Sequence, residues 1–179
     1  GVSNNTIQGN YIGVGATGMG TGLGNRTDGV QIQLRSGGHT IGGTNPGEGN
    51  IIAFNVNRGV SLLSTAGGGV RILGNSIHSN GTPTNFLGID LNADGITAND
   101  SGDGDTGPNN LQNFPVISAV ETAIGLGTSI TGSLNSSANT SFRIEFFTNS
   151  TCDALGNGEG ASFFSFIDVT TNGSGNANF

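Results

Sequence analysis

The chain of 179 residues contains no tryptophan and no lysine, and only one cysteine, one methionine and one tyrosine. Each shortage closes a class of function. Sugar-stacking platforms depend on indole and phenol rings, so the lack of Trp and the single Tyr11 exclude a deep aromatic cleft. Cys152 has no partner for an intrachain disulfide and no companion for a cysteine-based metal site. The five basic residues are all Arg and face 12 acidic ones, for a net charge of −7 at pH 7. Nucleic-acid binding, which leans on cations against phosphate, is excluded, and an anionic membrane surface is disfavoured for the same reason. No apolar run approaches the roughly 20 residues of a membrane span, so no membrane insertion is expected. The abrupt opening GVSNNTIQGN, with no basic-then-apolar leader, reads as the start of a piece excised from a longer mature protein.

What is abundant is glycine, with 34 residues, and asparagine, with 23, together about a third of the chain. Such a chain turns constantly and builds few helices. The apolar residues fall in short runs: NNTIQGNYIG, DGVQIQL, HTIGG, GNIIAFN, RGVSLLS, GVRILGNSIHSN and FLGIDL. Gly29-Val30 recurs as Gly59-Val60 and Gly88-Ile89, each followed two positions later by Ile32, Leu62 and Leu91. Units of this length with strands of only a few residues cannot bury their own apolar face and must stack on a neighbour. We therefore expect a parallel solenoid in which Ile7, Ile52 and Ile72 point inward and Ile32, Leu62 and Leu91 line another wall. Asn tolerates left-handed φ at corners, and its amide can bond the next turn of the chain. Asn10, Asn55 and Asn75 are the expected members of such a ladder. Residues 13–27, GVGATGMGTGLGNRT, are expected to project as a long flexible turn.

These motifs resemble the right-handed parallel β-helix repeat proteins of bacterial secreted and cell-surface proteins. The likeness rests on NTIQGNYIG at 5–13, GVQI at 29–32, HTIGG at 39–43, FLGIDLNADGITAND at 86–100 and LQNFPVI at 111–117. It covers most of residues 1–117 and implies export and a large multi-domain parent. It transfers no catalytic residue, since β-helix repeats occur in pectate-lyase-like enzymes as well as in non-enzymes.

From LQNFPVISAV onward the texture changes. TSITGSL, TSFRIEFFTN and ASFFSFIDVT alternate as antiparallel strands do, and eight of the ten Phe residues fall at 114 or later, predicting a separate aromatic core. NTSFRIEFFTNSTCDALGNGEG at 139–160 resembles the Ig-like β-sandwich module that follows such β-helices. The expected fold is thus all-β: a short right-handed parallel β-helix over residues 1–114, then a small, incomplete antiparallel β-sandwich over 115–179.

Residues 90–110, DLNADGITANDSGDGDTGPNN, hold the most pointed chemistry. Asp90, Asn92, Asp94 and Gly95 match the opening of an oxygen-rich calcium loop, but position twelve is Ser101 and no helices flank it. Asp100, Asp103 and Asp105 add carboxylates that repel one another unless protonated, hydrated or neutralised. Two readings stand: a junction organised by a structural Ca²⁺ ion held by Asp90, Asn92, Asp94, Asp100, Asp103 and Asp105, or a solvated acidic linker.

Glycoside hydrolysis needs two carboxyl groups astride a sugar, and β-elimination on uronates commonly pairs Ca²⁺ with a base. The weak candidates are Asp28, Asp90 and Arg58, with Arg35 and Arg71 as further basic partners. Asp28 precedes its Gly-Val anchor and Asp90 follows its own, so the two need not share a wall. His39 and His78 read as corner residues. The expected function is a non-catalytic structural or adhesive module of an exported surface protein, a rigid spacer contacting a cell-surface polysaccharide or protein. The alternative is a polysaccharide lyase or glycoside hydrolase of the pectate-lyase-like β-helix type. Open solenoid ends also predict an edge-mediated homodimer.

Overall fold

The computed structural model describes residues 2–81, 86–123, 125, 127–152 and 156–179. Residues 153–155 of the sandwich-like motif lie outside them. The described chain is all-β apart from one 3₁₀ turn, Pro108–Leu111. None of its helices is long and apolar enough to cross a membrane, which says nothing of crossing with strands. It divides into two units, residues 1–97, 107–109 and 145–165, and residues 98–106, 110–144 and 166–179.

Among the described residues of the first unit, residues 1–97 form nine short strands: β1 (Thr6–Ile7), β2 (Tyr11–Ile12), β3 (Val30–Ile32), β4 (Thr40–Gly42), β5 (Ile51–Ala53), β6 (Val60–Leu63), β7 (Arg71–Leu73), β8 (Ser76–His78) and β9 (Ile89–Asn92). Every third strand pairs in parallel, giving three three-stranded sheets of order β1-β4-β7, β2-β5-β8 and β3-β6-β9. The stacking is β-helix-like: each pass of the chain through the three sheets forms a tier, and three tiers are present.

Strands β2 and β4 bend away just after their last inward residue, where glycine is required. Gly13 and Gly42 follow inward isoleucines at φ of 86° and 81°. A Cβ there would lie 2.0 Å from the carbonyl oxygens of Ala53 and Leu73 respectively, so only glycine admits the neighbouring tier. The Gly-Val repeat sets the register of the third sheet, where Val30, Val60 and Ile89 align, as do Ile32, Leu62 and Leu91.

The inward residues form one core of Val30, Ile32, Ile41, Ile52, Val60, Leu62, Val70 and Ile77. Four middle-tier residues, Ile41, Ile52, Val60 and Leu62, are 0% exposed. Each such side chain contributes about 1.5–3 kcal/mol by burial, which a strand of three residues cannot obtain alone.

Three expectations need correction. Ile7 stacks on Ile41 and then Ile72, whereas Ile52 belongs to a different wall with Ile12 and Ile77. Likewise Asn55 and Asn75 stand in separate ladders. Asn10, Asn50 and Asn75 form one, and Asn25, Asn55 and Asn80 the other. The step of 20 between Asn55 and Asn75 joins adjacent walls; the tier-to-tier step within each ladder is 25 between the second and third tiers. Residues 13–27 do not simply project. Val14 is buried, and Asn25 returns to the stack with its backbone N–H 3.1 Å from Asn55 Oδ1.

The second unit holds β10 (Val116–Ala123), β11 (Gly127–Asn135) and β14 (Asn176–Asn178), an antiparallel sheet of order β10-β11-β14. The unit boundary falls inside β12 (Ser141–Thr148) and β13 (Ser162–Thr170), which pair as a two-stranded sheet. The expected aromatic core is not what these strands build. Their buried apolar residues are Leu134, Ile144, Val169 and Ala177, while Phe114, Phe163, Phe164 and Phe166 are exposed. The Phe runs alternate as predicted, but β13 is exposed along all its length except Val169. Arg143 covers part of Phe166, its guanidinium 3.5 Å from the ring centre.

Candidate functional site

The first candidate grows from the outward face of the β3-β6-β9 sheet. Because side chains alternate, the residues between the two inward rows point outward, and these are Gln31, Ser61 and Asp90 in register. Ser61 and Asp90 are nevertheless buried, under Arg58 and the turn that follows β9. Asp28 and Arg58 sit one residue before Gly29 and Gly59, so the same repeat places them one tier apart.

The Arg58 guanidinium donates from Nε to Asp90 Oδ2 at 2.6 Å and from Nη2 to the Ala93 carbonyl at 2.7 Å. Its Nη1 lies 3.7 Å from Asp28 Oδ1, and its own backbone N–H donates to the same oxygen at 3.1 Å. Asp28 Oδ2 accepts from Ser61 Oγ at 2.6 Å and from Gln31 Nε2 at 3.1 Å. The Gly95 N–H closes on the Asp90 carboxylate at 3.2 Å. Phe86 covers the guanidinium at 4.7 Å. Side-chain exposure is 14% for Arg58, 3% for Asp28 and 1% for Asp90.

The three residues named as weak catalytic candidates therefore do converge, because Arg58 bridges two adjacent columns of one wall. They converge as a buried ion triad whose carboxylate oxygens already receive donors. An acid–base pair working on a sugar needs room for water or substrate between its carboxyl groups. Here that place is taken by a guanidinium, and the group acts as a clamp holding the turn at 92–95 onto the sheet. Arg35 and Arg71 are both exposed and take no part in the triad.

The second candidate lies in the second unit. Oxygens of Asp100, Asp103 and Asp105 gather within 4.8 Å of one another. Buried Asn113 organises them: its N–H donates to Asp103 Oδ1 at 2.8 Å, its Oδ1 accepts from the Asp100 N–H at 3.0 Å, and its Nδ2 donates to the Asp100 carbonyl at 2.7 Å. Asp103 Oδ2 accepts from Ser136 Oγ at 2.6 Å, and the Gly104 N–H reaches Asp100 Oδ2 at 3.1 Å. Asp105 Oδ1 is buried without a hydrogen-bond partner, the one such side-chain atom among the described residues. Burial, and then the charges of Asp100 and Asp103, push the Asp105 carboxyl above the usual carboxylate range.

Asp90, Asn92 and Asp94, the other expected metal ligands, are engaged differently. Asp90 is held by Arg58, and Asn92 donates its Nδ2 to Asp94 Oδ2 at 2.7 Å. Among the described residues, the one gathering of three such side chains able to hold a metal ion is Asp100, Asp103 and Asp105. Asn113 carries no metal-site signal in the sequence, because it sits in LQNFP, a segment that reads as a strand entry.

His39 stands at a corner as expected, its Nδ1 accepting from the Asn5 N–H at 3.1 Å. His78 instead ends β8 and meets Phe54 edge-on at 5.8 Å. No family model matches the chain, and no curated protein matches it.

Proposed function

We propose that this chain is a non-catalytic structural or adhesive module of an exported bacterial surface protein. In this reading the parallel stack is a right-handed β-helix serving as a rigid spacer, and the antiparallel strands are an Ig-like sandwich that follows it. The observation that carries it is the sealed Arg58 triad. The acidic and basic side chains nearest to a catalytic constellation neutralise one another out of reach of a polymer. A structural Ca²⁺ ion belongs to the same reading. Asp100, Asp103 and Asp105 would hold it, and the all-oxygen donor set with the unpartnered Asp105 Oδ1 suits a hard cation. The contact surface would meet a cell-surface polysaccharide or protein.

The rival is a polysaccharide lyase or glycoside hydrolase, favoured by the meeting of two carboxylates and an arginine on one wall. Incubation with uronate and neutral polysaccharides separates the two readings. New unsaturated or reducing ends are expected to stay at the buffer level. Turnover that Asp90→Asn or Asp28→Asn abolishes would overturn the non-catalytic reading. Calorimetric melts after chelation, then with Ca²⁺ or Mg²⁺ restored, test the ion. Ca²⁺ should raise the midpoint in proportion to the logarithm of its concentration; an unchanged midpoint removes the ion from the proposal.

A further inference from the structure

At the corners, bonds to side-chain acceptors run from each tier to the next, while Asn50, Asn75 and Asn80 also donate Nδ2 back to the carbonyls of Ile7, Ile41 and Ile52. Asn10 donates its N–H and Nδ2 to Asn50 Oδ1 at 2.9 and 3.1 Å, and Asn50 donates the same two groups to Asn75 Oδ1 at 3.0 and 2.8 Å. Asn25 does so to Asn55 Oδ1 at 3.1 and 2.9 Å, and Asn55 to Asn80 Oδ1 at 3.2 and 2.8 Å. At the third corner Asn5 offers its N–H and Nδ2 to His39 Nδ1 at 3.1 and 3.3 Å. Each tier thus presents its corner side-chain acceptors to the tier before it, and receives there the corner N–H and Nδ2 donors of that tier.

The donor end is closed within the first unit. Glu159 Oε1 receives both the N–H and the Nδ2 of Asn80, at 3.3 and 3.4 Å, in the manner of the next corner asparagine. The Ile77 N–H donates to the Gly160 carbonyl at 2.8 Å, the Gly74 N–H to Glu145 Oε2 at 2.8 Å, and the Val70 N–H to Asn109 Oδ1 at 2.9 Å.

Among the described residues, the acceptor end has no such closure. The side-chain oxygens of Asn5, Asn10 and Asn25 accept from no described residue, although each occupies the place that on the second tier receives two donors. The inward residues Ile7 and Ile12 are only partly buried, whereas Ile41 and Ile52 beneath them are fully so. A hollow of about 360 Å³ opens beside Ile7, Ile32, Val2 and Leu34. Sheet edges are normally defended by charge. This one carries none before Arg26, in a chain of net charge −7.

We infer that the first-tier face is a docking surface for a further tier of the same repeat pattern, one that brings asparagine N–H and Nδ2 donors to Asn5, Asn10 and Asn25 and branched apolar side chains into the hollow. A second copy does not supply this. Its donor end is capped, and its open face offers corner acceptors to corner acceptors. The inference rests on the bonding of the stack and stands whether or not the module is adhesive.

The test supplies the occupant in cis. A copy of residues 39–66, with Asn in place of the copied His39, is joined ahead of the full chain, and a control carries Asp at its three corner positions. Asp keeps the shape but puts acceptors where donors are needed. Amide exchange of residues 6–12 and 30–32 should slow at least tenfold with the Asn extension relative to the unextended chain, and much less with the Asp one. Removing the receiving oxygens of the host by Asn10→Ala and Asn25→Ala should return exchange under the Asn extension to the control rate. Equal exchange with both extensions overturns the inference, as does absence of protection by either. So does an unextended chain that is dimeric by light scattering with residues 6–12 already protected.

Discussion

At two of the three corners asparagine does what a backbone turn would otherwise do, and the cost of losing it depends on depth. Asn55 is 1% exposed and links both neighbouring tiers, while Asn25 is exposed and links one. Asn55→Ala strands buried donors and acceptors and should cost about 2–3 kcal/mol in urea unfolding, against less than about 1 kcal/mol for Asn25→Ala. Arg58→Met leaves the Asp28 and Asp90 carboxylates buried without their counter-charge. A loss of about 3–5 kcal/mol is expected from the same measurement. The corners were half legible in the sequence. GNIIAFN at 49–55 and GNSIHSN at 74–80 share the word G-N-x-I-x-x-N, with asparagines five apart and a repeat of 25. Its first occurrence, GNYIG, is broken by the insertion that delays Asn25, and this break hides Asn25 as the partner of Asn55 and leaves Asn10 in its apparent place. The ion triad was hidden for another reason. Comparing Asp28 with Asp90 alone shows mismatched offsets, and only the reach of an arginine side chain joins the two columns.

Among the elements, the parallel strands were the most readable and the acidic loop the least. The Gly-Val steps place β3, β6 and β9 because a fixed period is a property of the chain, whereas the gathering of Asp100, Asp103 and Asp105 depends on Asn113 and on Ser136 of a later segment. The loop has a signed pH response. The Asp105 carboxyl is raised above its unfolded value, so its charged form is disfavoured in the fold. Its unfavourable contribution is present above the folded value, is relieved as pH falls through it, and is gone below the unfolded value. In chelator, Asp105→Asn should therefore raise the melting midpoint at neutral pH and flatten its rise on mild acidification. The same substitution should abolish any Ca²⁺-dependent shift. A lower midpoint for Asp105→Asn in chelator would show that repulsion does not govern the loop.

For the molecule as a whole, the acidic balance and the apolar strands set solution behaviour together. With a calculated isoelectric point near 4.3, self-repulsion vanishes there, and the exposed Phe163, Phe164, Phe166, Val116 and Val120 lose their electrostatic protection. A turbidity minimum at neutral pH and precipitation near pH 4.3 are expected, with recovery of clear solution on return to pH 7. Binding of the chain to anionic vesicles should be absent at every salt concentration. The parallel stack also has a mechanical grain. Backbone hydrogen bonds between parallel strands lie in the direction that separates one tier from the next. A pull from the first tier toward the third would load those bonds head-on and part them like a zipper, one row at a time, at low force. A sideways load would instead place many bonds in shear at once, so the stack resists bending and compression far better than stretching.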